Sequence, residues 1–232
     1  FVYDSKKAGA MTVSHLRFGP DPIRSTYLIG PGDARFVACH QPHFLDKHDL
    51  LAYAAPGTVF LLNTPLAPER VWAALPRRLQ QQMVSKGLRC YVIDAYGVAQ
   101  AAAMGRRINT VMQTCFFAIS GILPRDAALA AIKQAVDKTY GKKSKRLADL
   151  NHKAIDLTLA GLRELEIPGL LDDAGPAAAA AVEAAVPDFV RDFTLPVFRG
   201  EGDRLPVSAM PLDGSFMTGT ARYEKRNIAL EI

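Results

Sequence analysis

VFLLNTP, residues 59–65, is the stretch that decides the fold. Four apolar residues run together and then stop at Asn63-Thr64-Pro65, a polar turn closed by a proline. So short an unbroken apolar run reads as a strand covered on both faces, because a strand with one wet face would alternate. Two other runs have the same form. FVAC, Phe36–Cys39, leads into His40-Gln41-Pro42, and YVI, Tyr91–Ile93, leads into Asp94-Ala95-Tyr96. Amphipathic helical patterns lie between and after them, at about Phe44–Ala54, Ala67–Lys86 with Pro76 breaking it, and Ala95–Met104. A period near 30 residues leaves room for the crossovers that parallel pairing requires. The expected class is a layered α/β domain on a largely parallel sheet.

Working outward, Met11–Phe18 (MTVSHLRF) alternates apolar and polar residues and predicts a strand with one wetter face. Downstream the pattern turns helical. Asn109–Ile122 is apolar almost all round and predicts a central buried helix. Pro124-Arg125-Asp126 opens another, running to about Tyr140, and a third is expected over Ser144–Leu165. Beyond Pro168 an Ala-rich segment leads to Pro187. Pro196, Gly200, Gly202, Pro206, Pro211, Gly214 and Gly219 then leave little room for regular elements. Residues 196–232 are expected to form an extended arm after a body made of residues 1–195.

Composition excludes several classes. The 232 residues are 49% hydrophobic and 22% charged, which suits a folded domain with a sizeable core and not a disordered chain. No apolar stretch approaches the roughly 18 residues of a membrane span, and the N-terminus lacks the order of a signal peptide. Cys39, Cys90 and Cys115 are far apart, form no CxxC pair and sit among apolar neighbours. They suit buried thiols in a reducing compartment, so a cytoplasmic location is expected. They are also too few for a zinc or iron–sulfur site. The net charge of +5 favours anionic partners without specifying them. Its densest run, Lys138–Arg146, reads first as a solvated helix end. No aromatic-interleaved basic stripe accompanies it, so nucleic acid is not expected.

Chemistry-bearing candidates gather at turns. His40, Asn63 and Asp94 each follow an apolar run, and ligands of open α/β sheets bind beyond the carboxyl ends of strands. Asn and Asp there equally cap the following helix. His40, His43 and His48 lack the helical spacing of a metal cluster, and no GxSxG or Ser-His-Asp arrangement stands out. Two basic loops are better placed: Ser5-Lys6-Lys7-Ala8-Gly9 before an expected strand, and Gly105-Arg106-Arg107-Ile108-Asn109 before the buried helix. A loop with Gly, Arg and an Asn expected as helix cap offers backbone N–H groups and a guanidinium to a phosphate.

The strings YDSKKAGAMTVSHLRFGPDPIRSTYLI, FVACHQP, FLLNTP, LPRRLQQQ, YVIDAY, MGRRINTVMQTCFFAISGILPRD and KTYGKK resemble the γ-type domain of pyruvate:ferredoxin (flavodoxin) oxidoreductases over residues 1–195. The tail PVSAMPLDGSFMTGTARYEKRNIALEI resembles the connecting segment with a Tyr-Glu-Lys-Arg string that follows in single-chain enzymes. The resemblance implies a three-layer α/β/α fold with a mostly parallel, mixed sheet that helps hold coenzyme A. It also implies a parent enzyme that turns pyruvate into acetyl-CoA with thiamine diphosphate, Mg²⁺ and [4Fe–4S] clusters. That parent passes electrons to ferredoxin or flavodoxin and works as a homodimer. By the same resemblance, Ser5 and Arg107, and by extension Lys6 and Asn109, contact CoA.

Departures from the family pattern shape the expectation. A GSDGTVGANK-like loop precedes YDSKK in the family, and this sequence begins after it. Ala8-Gly9-Ala10 stands where Ser-Gly-Gly is usual, and Arg106 where Gly is common. The thiamine module and cluster cysteines are not in the sequence, so this segment is expected to bind CoA and assemble the enzyme, with no catalytic or metal-binding residue and no turnover alone. The remaining domains or subunits are its expected partners. Two alternatives stay open: a non-catalytic docking module, and a parent acting on another 2-oxoacid.

Overall fold

The computed structural model describes residues 12–24, 28–141, 144–169, 186–198 and 202–215. The chain divides into two compact units, Phe1–Leu171 and Asp172–Ile232.

The first unit is a four-stranded sheet in the order β1 (Ala34–Cys39), β2 (Ala54–Asn63), β3 (Arg89–Ile93) and β4 (Arg163–Leu165). β1, β2 and β3 run parallel, and β4 is antiparallel to β3. Register places Val37 opposite Phe60 and Phe60 opposite Cys90, so the three apolar runs form one continuous band. The strand period of two sends neighbours to opposite faces. Phe60, Leu62, Cys90 and Val92 pack beneath Leu45 of α1 (Phe44–Lys47), Val71 of α2 (Pro68–Ala74), and Leu79 and Met83 of α3 (Arg77–Ser85). Val59, Leu61, Tyr91 and Ile93 pack against Ala95 and Ala99 of α4 (Ala95–Ala101), Val111 and Cys115 of α5 (Asn109–Ile119), and Ala154 of α7 (Lys145–Gly161). Both faces are therefore covered, and the fold is the expected three-layer α/β/α. Ile132 and Val136 of α6 (Arg125–Val136) add an outer cluster with Ala148 and Ile155 of α7.

Small residues set the close approaches. Ala95, Ala99 and Ala102 are fully buried and let α4 lie close to the sheet. A Cβ on Gly161 would come within 3.2 Å of the Ile93 side chain, so the end of α7 presses on β3 through a glycine.

Three element expectations are corrected, and a fourth, the helix after Pro124, reaches its expected end with a change of winding. Residues 12–18 form no strand. The polar members of their alternation, His15 and Arg17, instead bond the chain that follows: the Ile29 N–H donates to His15 Nδ1 (3.0 Å) and Arg17 donates to the Leu28 carbonyl (2.6 Å). The helix expected over Phe44–Ala54 is α1 plus a 3₁₀ turn, Leu50–Tyr53. His48 is extended and Asp49 starts the new turn by accepting from the Ala52 N–H, which divides the pattern. The helix after Pro124 ends at Val136 and continues as a π turn, Asp137–Gly141. The last helix stops at Gly161, and Arg163–Leu165 turns back as β4.

In the second unit the described residues form short turns. A π turn at Val190–Thr194 runs into a helical turn at Leu195–Phe198, and 3₁₀ turns follow at Gly202–Arg204 and Val207–Ala209. Arg191 pairs with Asp188 (2.9 Å) and Asp192 (2.7 Å).

Candidate functional site

Asn63 ties the carboxyl ends of the parallel strands together. Its side-chain N–H donates to the His40 carbonyl (3.0 Å), and its Oδ1 accepts from the Ala95 N–H (2.9 Å). It is 2% exposed. A buried amide with both ends engaged is a bolt between strands, so Asn63 serves the edge structurally. Asp94 is a helix cap, its Oδ1 accepting from the Gly97 N–H at 2.8 Å. Of the three strand-end candidates, His40 and Asp94 are exposed and Asn63 is buried. Desolvation lowers the His40 pKa below the ordinary histidine value, so its ring is neutral at neutral pH.

A further set of groups meets at this edge. The Gln41 side-chain N–H donates to the Tyr96 hydroxyl (2.7 Å), and the Arg106 guanidinium lies over the Tyr96 ring, 5.7 Å from its centre. Tyr96 stands in the first turn of α4 and Arg106 in the loop after it, so the contact folds that loop back to the strand ends. Sequence reading placed Arg106 in a basic loop but missed Tyr96 and Gln41 as the residues it meets. The available signal was position: Gln41 and Tyr96 each stand two or three residues beyond an apolar run, where a sheet places ligand contacts.

The loop itself is firmly shaped. The Ala103 N–H donates to the Gln100 carbonyl (2.9 Å) and the Met104 N–H to the Ala99 carbonyl (2.8 Å), the paired bonds of a Schellman end. Such an end needs a left-handed residue, and Ala103 supplies it at φ 58°, with Gly105 following at 63°. A side chain there is strained where glycine is not. Ala103→Gly is therefore expected to raise stability by about 0.5–1 kcal/mol, the relief of strain exceeding the added freedom of the unfolded chain. Urea denaturation of the two proteins measures it, and an unchanged or lower midpoint refutes the strain.

Arg107 and Asn109 follow directly. Arg107 is exposed, and among the described residues its guanidinium has no hydrogen-bond or ion-pair partner. The expectation that Asn109 caps the helix is corrected: Ile108 occupies the cap position without a side-chain bond, and Asn109 is the first helical residue. The first N–H groups of α5 consequently keep their hydrogen-bonding capacity. Ser5 and Lys6 lie outside the described residues. Arg107 thus stands in the loop whose Arg106 lies over Tyr96, and Asn109 opens α5 two residues later.

Nothing among the described residues gathers three or more His, Cys, Asp or Glu side chains into a metal-binding group. The thiols are buried, and desolvation pushes Cys39 up to about 11 and Cys90 and Cys115 up to about 12, so they are protonated at neutral pH. His43 and His48 pack their rings on Phe44. No helix among the described residues is long and apolar enough to cross a membrane.

Fold and edge together define a three-layer α/β body with a cationic loop by the carboxyl ends of its strands. The family model described as pyruvate ferredoxin/flavodoxin oxidoreductase matches residues 1–161, and one described as a domain of unknown function matches residues 176–229. The whole chain aligns with the pyruvate-flavodoxin oxidoreductase of Rhodospirillum rubrum at 54% identity, covering 19% of that protein. It aligns over its whole length with the putative pyruvate-flavodoxin oxidoreductase of Synechocystis sp. at 53%, covering 19%. With the pyruvate:ferredoxin oxidoreductase of Moorella thermoacetica it shares 43% identity, again over the whole chain and 20% of that protein. The chain belongs to the pyruvate ferredoxin/flavodoxin oxidoreductase family. It spans about a fifth of the length of these relatives.

Proposed function

We propose that this chain is the CoA-side domain of a pyruvate:ferredoxin or flavodoxin oxidoreductase, and that its Arg107 loop grips the phosphates of CoA. The parent reaction converts pyruvate, CoA and two oxidised one-electron carriers into acetyl-CoA, CO₂, two reduced carriers and one proton. In this reading residues 1–195 form the CoA-side body and residues 196–232 the arm that leads to a cluster-bearing domain. The remaining domains or subunits of a cytoplasmic, homodimeric enzyme are its partners, and ferredoxin or flavodoxin is the partner of the whole.

Thiamine diphosphate with Mg²⁺ supplies the decarboxylation chemistry of such an enzyme, and [4Fe–4S] clusters supply its electron path. Among the described residues no group of three or more His, Cys, Asp or Glu side chains accompanies the buried, protonated thiols, a donor set that suits neither. The work assigned to this chain is binding. Arg107 offers a guanidinium to a phosphate, Asn109 and the first turn of α5 offer N–H donors, and Ser5 and Lys6 contribute a hydroxyl and an ammonium group.

The observation that carries this reading is the Arg107 guanidinium, unpaired among the described residues, beside a helix start without a side-chain cap, in a loop held by its own backbone bonds. Calorimetric titration of the full-length protein with CoA tests it. A charge-assisted hydrogen bond to phosphate contributes about 1.5–3 kcal/mol, so Arg107→Ala is expected to weaken CoA binding roughly 10- to 100-fold. Because the side chain is exposed and makes no bond among the described residues, the fold should survive the change. Unaltered CoA affinity in Arg107→Ala would remove the loop from the site.

A further inference from the structure

A second cationic feature lies at the opposite end of the sheet. Arg107 precedes the start of α5, whereas this cleft adjoins its end, about 16 Å away along an 11-residue helix. The cleft has a volume of about 320 Å³ and is lined by Arg89 and Tyr91 of β3, Ile119 of α5, Arg125 of α6, and Leu159 and Leu162. Its lining is aliphatic on the α5 and α7 side and carries two guanidinium groups.

The two arginines are in different states. Arg89 donates to the Tyr91 hydroxyl, lies 5.4 Å from the centre of that ring, and has Glu164 at 3.5 Å. Arg125 is exposed and has no hydrogen-bond or ion-pair partner among the described residues. One positive charge is therefore left uncompensated, which suits a single carboxylate better than a polyanion such as a pyrophosphate. Next to Gly121 in the cleft wall, Ile122 and Leu123 are 42% and 46% exposed, two large apolar side chains in succession. Arginine beside exposed aliphatic residues is a composition that protein interfaces favour.

We propose that this cleft docks an acidic–aliphatic segment of the polypeptide beyond these 232 residues. A carboxylate of that segment sits between Arg89 and Arg125, and a neighbouring aliphatic side chain covers Ile119, Ile122 and Leu159. The chain makes up only about a fifth of its relatives, so a large share of a comparable polypeptide remains to be packed around this body. The inference rests on the chain being part of such an enzyme, but not on its binding CoA.

The test uses the full-length protein with a photoreactive benzophenone amino acid at position 122. After irradiation, mass spectrometry identifies the captured peptide. The expected result is a peptide from outside residues 1–232 that contains Asp or Glu within a few positions of Leu, Ile or Val. Adding Arg125→Glu should lower its yield about 10-fold, and adding Arg125→Lys should largely preserve it. Capture confined to residues 1–232, a captured peptide without an acidic residue, or a yield indifferent to Arg125→Glu would overturn the proposal. CoA titration of the same protein reads the other site, so either reading can fail alone.

Discussion

Asn63→Leu is expected to destabilise the protein by about 2–3 kcal/mol, although leucine has the same branched heavy-atom skeleton as asparagine and is the better residue for a buried position. The reason is what asparagine satisfies. Its amide serves the His40 carbonyl and the Ala95 N–H, both at the carboxyl edge, and the side chain is almost wholly buried. Leucine would leave both backbone groups without that partner, at roughly 1–3 kcal/mol each, against a gain of about 1–2 kcal/mol from burying apolar surface. Rearrangement to recover those bonds would move His40 and Ala95, the neighbours of Gln41 and Tyr96. Asn63→Asp separates the two bonds. A neutral carboxyl can donate to His40 and accept from Ala95, but a carboxylate can only accept. Its folded-state pKa should therefore be raised, so its stability is fully present at low pH and is lost as pH rises above the unfolded carboxylate range. Chemical denaturation across pH measures both variants. A change under 1 kcal/mol in Asn63→Leu would show that the edge does not depend on this bolt.

Phe60→Ala should cost somewhat more, roughly 3–5 kcal/mol, by a different route. Phe60 is fully buried on the central strand, between Val37 and Cys90 in register. Strands hold it on both sides and helices cover it, so the surroundings cannot close over the space it leaves. Phe36 gives the contrast. It lies on β1, at one end of the sheet order, meets Phe116 edge-on at 4.8 Å, and is only partly buried. Phe36→Ala should cost clearly less, because water and neighbours can fill part of the gap. Equal losses from the two substitutions would argue that position in the sheet does not govern the cost. Against a typical domain stability of about 5–15 kcal/mol, Phe60→Ala removes a large fraction.

The three parallel strands were legible because each is an unbroken apolar run ending in a polar turn. Both faces of the sheet are covered, so no position in the run can be polar, and that requirement is written directly into VFLL and YVI. The helices were legible for a related reason: Pro76 and Pro124 mark boundaries that survive in the folded chain. β4 was not legible. Arg163-Glu164-Leu165 has one buried residue and continues a helical pattern, and only pairing with β3 makes it a strand. MTVSHLRF misled in the opposite sense. Alternation records which side chains prefer water, but a strand also needs a partner edge, and His15 and Arg17 found backbone partners in the loop at Leu28 and Ile29 instead.

The candidate site divides in the same way. Arg107 and Asn109 could be named because Gly, Arg and a helix start stand together in the chain, which is local information. That Arg106 lies over Tyr96, that Tyr96 meets Gln41, and that Asn63 is a bolt could not be named. Each joins residues separated by 10 to 55 positions, or depends on which strand lies next to which. By itself, then, the sequence determined the α/β layering, the strand ends and the basic loop, since burial and turn chemistry act within a few residues. Tertiary structure alone decided the partners of the polar side chains at those ends, because a hydrogen bond depends on distance in space and an amide carries no mark of the strand it will face.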